Sequence, residues 1–269
     1  MATTPDSGLV YRHRLPVRVM HWINVVCVVV LLGSGLQIFN AHPALSWGDD
    51  SRPGAQVLEI GQRREGNRAV GVTRIGGHEF VTDGVLGVSR GPDGATMARA
   101  FPSWATIPGP QWLAMGRLWH FFFAWLFVLN GLCYLAWTIF SGHLRGDLVP
   151  TRREWRGIGR SIVDHLRLRH PHGDEARRYN VLQNIAYLGL VFIVLPLIVV
   201  CGWAMSPLLD GVGTGWVDWL GGRQSARTLH FLGALLLVAF VLVHLFEVVV
   251  TGLGNNIRSM LTGYWRVPE

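Results

Sequence analysis

Four long apolar runs constrain this chain more than any other feature: about Val19–Phe39, Gly116–Phe140, Val181–Trp203 and Thr228–Leu253. Each reaches the ~20 residues that a helix rising ~1.5 Å per residue needs to cross a hydrocarbon core. Within lipid a backbone must satisfy its own polar groups, so such runs are read as helices. The expected fold is all-α, an integral membrane four-helix bundle. Hydrophobic residues at 50% against 15% charged agree with that class. Trp22, Trp112, Tyr179 and Trp203 fall where headgroups would lie. Glycines at 33, 35, 131, 189, 202 and 233 would weaken soluble helices, but in lipid they let a helix or a flat ligand approach closely. Arg12, Arg14 and Arg18 ahead of the first run resemble a signal peptide. The run is long and Pro43 spoils the cleavage region, so an uncleaved first span is expected.

All 24 basic residues are arginine, and 17 acids leave a net charge of +7. The arginines sit outside the apolar runs or, like Arg117, at their very edge, as orientation determinants do, which argues against nucleic-acid binding. The connection 141–180 carries nine arginines against five acids and the amino terminus three against one, while 40–111 is balanced at seven and seven. Both termini and the arginine-rich loop are therefore expected in the cytoplasm, with 40–111 outside. The runs Val57–Ile60, Ala69–Thr73 and Glu79–Thr82, separated by Gly and Asp, read as short hairpin strands of a cap, against the alternative of a poorly ordered insertion. Trp155, Ile158, Ile162 and Leu166 recur at helical spacing among arginines, as on a helix lying in the membrane interface. The whole chain, 1–269, reads as one membrane domain. Cys27, Cys133 and Cys201 are isolated in apolar runs, which excludes iron–sulfur ligation and covalent haem attachment.

Four of the eleven histidines fall within or at the edge of the runs. An ionisable group there is costly and marks function by default. His21 lies near the cytoplasmic start of the first helix, whereas His120 and His230 lie near the outer starts of the second and fourth. His244 follows His230 by fourteen residues, or ~1400° of helical rotation, so the two share a face about 21 Å apart. By depth His120 pairs with His230 on the outer side and His21 with His244 on the inner side. Two imidazoles from facing helices are how a bundle holds haem without a covalent link. The plainer reading is interhelical hydrogen bonding; it suits one lone histidine better than four that pair by depth. Zinc is disfavoured, since the pairs are too far apart to share an ion and His-Glu-X-X-His is absent from the sequence. His13, His42, His78, His143, His165, His170 and His172 read as solvated loop or helix-end residues.

The run Arg18-Val-Met-His21-Trp22-Ile-Asn24, the Trp119-His120 pair, the segment Arg178-Tyr179-Asn180-Val-Leu-Gln183, and His230 with His244 resemble the bacterial di-haem cytochrome b family. That family supplies membrane subunits to nickel–iron hydrogenases, formate dehydrogenases and thiosulfate reductases. The likeness covers all four spans but not the long loop, which is unlike the short connection of compact members. It implies two haem b groups bound by His21, His120, His230 and His244, quinone chemistry in the bacterial inner membrane, and a periplasmic oxidoreductase partner, possible molybdenum enzymes among them. It also makes Asn180 and Gln183 candidates to hydrogen-bond quinone, with helix-end capping as the plainer role. Glu247, just beyond His244, is a candidate proton carrier or an arginine's partner. Arg18, Arg117 and Arg227 stand near ligand positions, where they would meet haem propionates or snorkel to phosphate headgroups.

The leading expectation is thus an electron-transfer subunit between a periplasmic partner and the quinone pool, in either direction. One alternative is a self-sufficient quinone-linked oxidase of a small reductant such as superoxide. Another is a haemless transporter or scaffold, against which no span is broken at its middle, although Pro196 could kink the third.

Overall fold

The computed structural model describes residues 8–52, 54–91, 93–142, 144, 149–151, 155–159, 161, 163, 181–206 and 215–266. In chain order the elements begin with β1 (Leu9–Tyr11), α1 (Leu15–Phe39), β2 (Ala44–Leu45), β3 (Leu58–Glu65) and β4 (Arg68–Ile75). Next come β5 (His78–Val81), β6 (Gly87–Arg90), β7 (Thr96–Arg99) and α2 (Leu113–Phe140). The chain ends with α3 (Val181–Ala204), α4 (Arg223–Val250), α5 (Leu253–Thr262) and β8 (Tyr264–Arg266).

Among the described residues, α1, α2, α3 and α4 are the four helices long and apolar enough to cross a membrane. Large apolar side chains along them, such as Val29, Phe122, Ile193 and Leu236, are exposed, as lipid-facing surface would be. The helices α1, α2 and α4 start earlier than the apolar runs predict, because a first turn such as Arg223–Arg227 is helical without being apolar. In α3, Leu190–Val194 forms a π turn in which the Leu195 N–H reaches back to the Leu190 carbonyl. The turn adjoins Pro196, whose missing N–H favours such a break in the ladder.

The chain separates into two compact units. One comprises Met1–Asn24, Leu129–Pro196 and Leu235–Glu269, and the other Val25–Val128 and Leu197–Ala234. In the first, the terminal unit, β1 pairs antiparallel with β8, Val10 opposite Trp265. Gly252 (φ 106°) separates α4 from α5, and Gly263 (φ 90°) turns the chain into β8. Side chains of α1 hold α5: Trp22 Nε1 donates to the Met260 carbonyl at 3.1 Å, and Arg18 donates to that of Leu261. The Asn130 amide of α2 donates to the Met20 carbonyl (2.9 Å) and to Asn24 Oδ1 (2.8 Å), binding α2 to α1 through polar groups within apolar helices.

The second, capped unit corrects the expectation of an all-α chain, because among the described residues six strands, β2 to β7, lie in the connection between α1 and α2. An antiparallel sheet runs β2-β3-β4-β5, with β6 and β7 a separate hairpin. The expected runs Val57–Ile60, Ala69–Thr73 and Glu79–Thr82 correspond to β3, β4 and β5. Ile75 and His78 pair across Gly76 and Gly77, whose φ values of 54° and 84° are those a two-residue hairpin turn demands. Phe39, Leu45, Ile60 and Ala100 form a buried core, with Phe101 and Phe231 packed against it. Thr228 Oγ1 donates to the Ser46 carbonyl at 2.7 Å. The Gly48 carbonyl accepts from the Gln224 and Ser225 N–H groups at 2.9 and 3.1 Å. It thereby satisfies donors that the first turn of α4 would otherwise leave orphaned.

Candidate functional site

In the capped unit the His120 and His230 rings face each other with centroids 6.2 Å apart and planes at 63°. Ser34 Oγ donates to the Val30 carbonyl at 2.6 Å and lies 3.0 Å from His120 Nδ1. With the hydroxyl proton so engaged, His120 Nδ1–H is the donor to Ser34. His230 Nδ1 lies 2.8 Å from the Ile198 carbonyl, which can only accept. Both rings therefore carry their proton on Nδ1 and leave the Nε2 lone pair free for a metal, the tautomer that an outer hydrogen bond typically fixes.

Each ring also rests on a glycine. A methyl added at Gly35 of α1 would stand 3.4 Å from His120 Cε1, and one added at Gly202 of α3 would stand 3.4 Å from His230 Cε1. The accepting groups then follow a pattern. Ile198 precedes Gly202 by one turn, and Leu31, whose backbone also meets His120, precedes Gly35 by one turn. The same local device thus occurs twice within this unit.

In the terminal unit the His21 and His244 rings are 6.4 Å apart at 62°. Phe240 stacks on His244 at 6.0 Å with planes 2° apart, and Tyr187 meets Phe240 edge-on at 5.9 Å. The Nδ1 of His21 is buried without a hydrogen-bond partner among the described residues.

An axial pair needs a metal–imidazole bond of about 2 Å on each side plus roughly 1 Å from nitrogen to ring centre, hence centroids about 6 Å apart. Both pairs fit this separation. A direct imidazole–imidazole hydrogen bond is replaced, in the capped pair, by bonds to Ser34 and Ile198. The donor set, two neutral imidazoles from different helices, is the one haem b takes.

Gln183 is half-buried in the first turn of α3, and Asn180 lies outside the described residues, as do Ile162, Leu166, His143, His165, His170 and His172. Arg18 is bonded to the Leu261 carbonyl. Arg227 donates to the His42 carbonyl and lies 5.6 Å above the Phe39 ring. Arg117 lies 5.7 Å from the Phe121 ring. Burial and side-chain bonding single out Ser34, Gln37 and Asn130, and burial alone Asn184, whose Oδ1 has no hydrogen-bond partner among the described residues; all four are polar, in spans and less than a tenth exposed. Sequence reasoning passed over them, although a polar residue within an apolar run was the available signal.

These features define a membrane protein that binds haem b and transfers electrons. The chain belongs to the prokaryotic cytochrome b561 family, whose model matches residues 12–263. It is 30% identical over 251 residues to a putative protein-methionine-sulfoxide reductase subunit, YedZ1, of Azospira oryzae, covering 92% of this chain and 93% of that one. It is also similar to probable Ni/Fe-hydrogenase B-type cytochrome subunits. The identity is 23% to that of Cupriavidus necator, covering 98% of this chain and 93% of the relative, and 24% to that of Rhodobacter capsulatus, covering 95% and 80%. No solved structure matches the chain.

Proposed function

We propose that this chain is a di-haem cytochrome b subunit that moves electrons between an oxidoreductase partner and membrane quinone. His120 and His230 hold one haem b and His21 and His244 the other. The observation that carries this reading is the paired meeting of imidazoles at 6.2 and 6.4 Å, each pair bringing two helices together. Bound haem supplies an iron that accepts and releases one electron at a time. The protein orients the imidazoles and, at His120 and His230, fixes their tautomers through Ser34 and the Ile198 carbonyl.

The partner docks on the strand-bearing segment 40–111, on the periplasmic side of the inner membrane. Pairing of β1 with β8 supports placing both chain ends together, and the arginine count supports the cytoplasm for them. Relatives named as subunits of a methionine-sulfoxide reductase and of Ni/Fe-hydrogenases support an oxidoreductase partner. A molybdenum enzyme fits this position by analogy. Quinone binds near the start of α3, where Gln183 and Asn180 supply amide donors, and Glu247 of α4 carries protons to it.

Purification in mild detergent with haem counting tests the reading. Two low-spin haem b per chain are expected. His230→Ala should lose one of them and His244→Ala the other. Two low-spin haems retained in each variant would overturn the ligand assignment, and a copurifying oxidoreductase chain would identify the partner.

A further inference from the structure

Arg99, at the end of β7, is only 5% exposed. Its guanidinium donates to Gln37 Oε1 (2.9 Å), Thr106 Oγ1 (3.0 Å) and the Gly109 carbonyl (2.9 Å). Every one of these acceptors is neutral. The Nε is buried without a partner, and among the described residues no carboxylate oxygen lies within 4.0 Å of it. Burial alone pushes its pKa below the usual arginine value, yet an arginine stays charged.

This cation stands close to the His120/His230 pair along the fold. Gln37 is one turn beyond Ser34 on α1, the residue that holds His120 Nδ1. The Gln37 side chain also lies on Gly116, one turn before His120 on α2: a methyl there would sit 2.7 Å from Gln37 Cγ. The amide of Gln37 is spent on the Pro108 and Pro110 carbonyls, so its Oε1 faces the guanidinium. Neutral donors would tie the same carbonyls together. What arginine adds is an uncompensated positive charge in a poorly polarisable environment, where charges act over long range.

Resting on the haem assignment above, we infer that Arg99 is a positioning residue whose buried charge raises the reduction potential of the haem held by His120 and His230. Reduction adds one electron at that site, and a fixed nearby cation favours it. The charge is supplied by the cap, so the segment that meets the partner also sets how readily electrons are accepted there.

Redox titration of the purified chain, followed in the visible spectrum, tests this. In Arg99→Gln and Arg99→Met, one of the two haem components should become about tenfold harder to reduce, about 59 mV for a one-electron couple. The other component should stay in place. Arg99→Lys, which keeps the charge, should titrate near wild type. Thr106→Asp keeps the arginine and supplies the missing carboxylate; it should shift the same component downward, which covers the case in which removing the arginine prevents folding. Resistance of 40–111 to protease separates charge from packing, because a merely structural arginine would order the shifts by cap stability instead. Unmoved potentials in the neutral variants and in Thr106→Asp would overturn the inference while leaving the haem assignment intact. A wild-type protein with fewer than two components would instead defeat the assignment itself.

Discussion

The two histidine pairs have nearly the same ring separation but different supports. In the capped unit both Nδ1 atoms are hydrogen-bonded, one to Ser34 and one to the Ile198 carbonyl, and both rings lie on glycines. In the terminal unit His21 Nδ1 is buried without such a bond, and His244 is flanked by an aromatic stack. Equal spacing therefore does not imply equal rigidity. Outer hydrogen bonds fix the tautomer and strengthen a ligand, so the capped pair is preorganised whereas the terminal pair relies on packing.

The largest effect that would break this contrast lies at the glycines. Gly202→Val, whose added methyl groups enter the space of the His230 ring, should remove nearly all of one haem and leave the other. Loss of both haems, or of neither, counted by absorbance, would show that the ring does not depend on the glycine. A smaller effect is expected for Ser34→Ala, which removes the acceptor of His120 Nδ1. By the usual worth of such supports, haem retention at that pair should fall about 10–100-fold, measured by transfer to apomyoglobin; an unchanged rate would make the contrast idle.

Asn130→Leu addresses the terminal unit. It frees the Met20 carbonyl and Asn24 Oδ1 and should destabilise the chain by about 1 kcal/mol, the scale of interhelical polar bonds in lipid, seen as a lower melting temperature in detergent. The haem retained at His120 and His230 should be unaffected. The smallest effect concerns pH. Asp83 accepts from the Gly71 N–H at 2.9 Å, which, aided by Arg68, holds its pKa below the ordinary carboxylate value. A depressed pKa contributes stability above the unfolded value that is lost as pH falls through the folded one. Exchange of the Gly71 amide should therefore quicken relative to other cap amides only on acidification below the normal carboxylate range. Asp83→Asn should abolish that dependence.

The histidines were legible because helical periodicity and depth are properties of spacing, and spacing survives in a linear sequence. The spans were legible for the same reason, as were three of the cap strands, bounded by glycines. What supports the rings was not. The acceptor for His230 is a backbone carbonyl, which any residue at position 198 would offer. The hairpin β6–β7, which ends at Arg99, has no alternation strong enough to mark it, and the meaning of Arg99 depends on where Gln37 arrives. The helix α5 and strand β8 were hidden by an apolar pattern that runs on through Leu253, although the chain breaks at Gly252. Arg18 and Arg227 were read from their closeness to histidines in sequence, whereas the structure ties them to backbone carbonyls.

The seam between residues 46–49 and the first turn of α4 has a consequence for biogenesis. Thr228 and Ser46 are separated by 182 positions, and Gly48 and Ser225 by 177. A ribosome delivers the earlier partners long before the later ones, so the cap waits, unfastened, until the last span emerges. Contacts this distant along the chain close slowly. The nascent protein therefore passes through a stage in which Phe39 and Leu45 still lack Phe231 beside them, so their apolar surface is covered only once the last span has emerged.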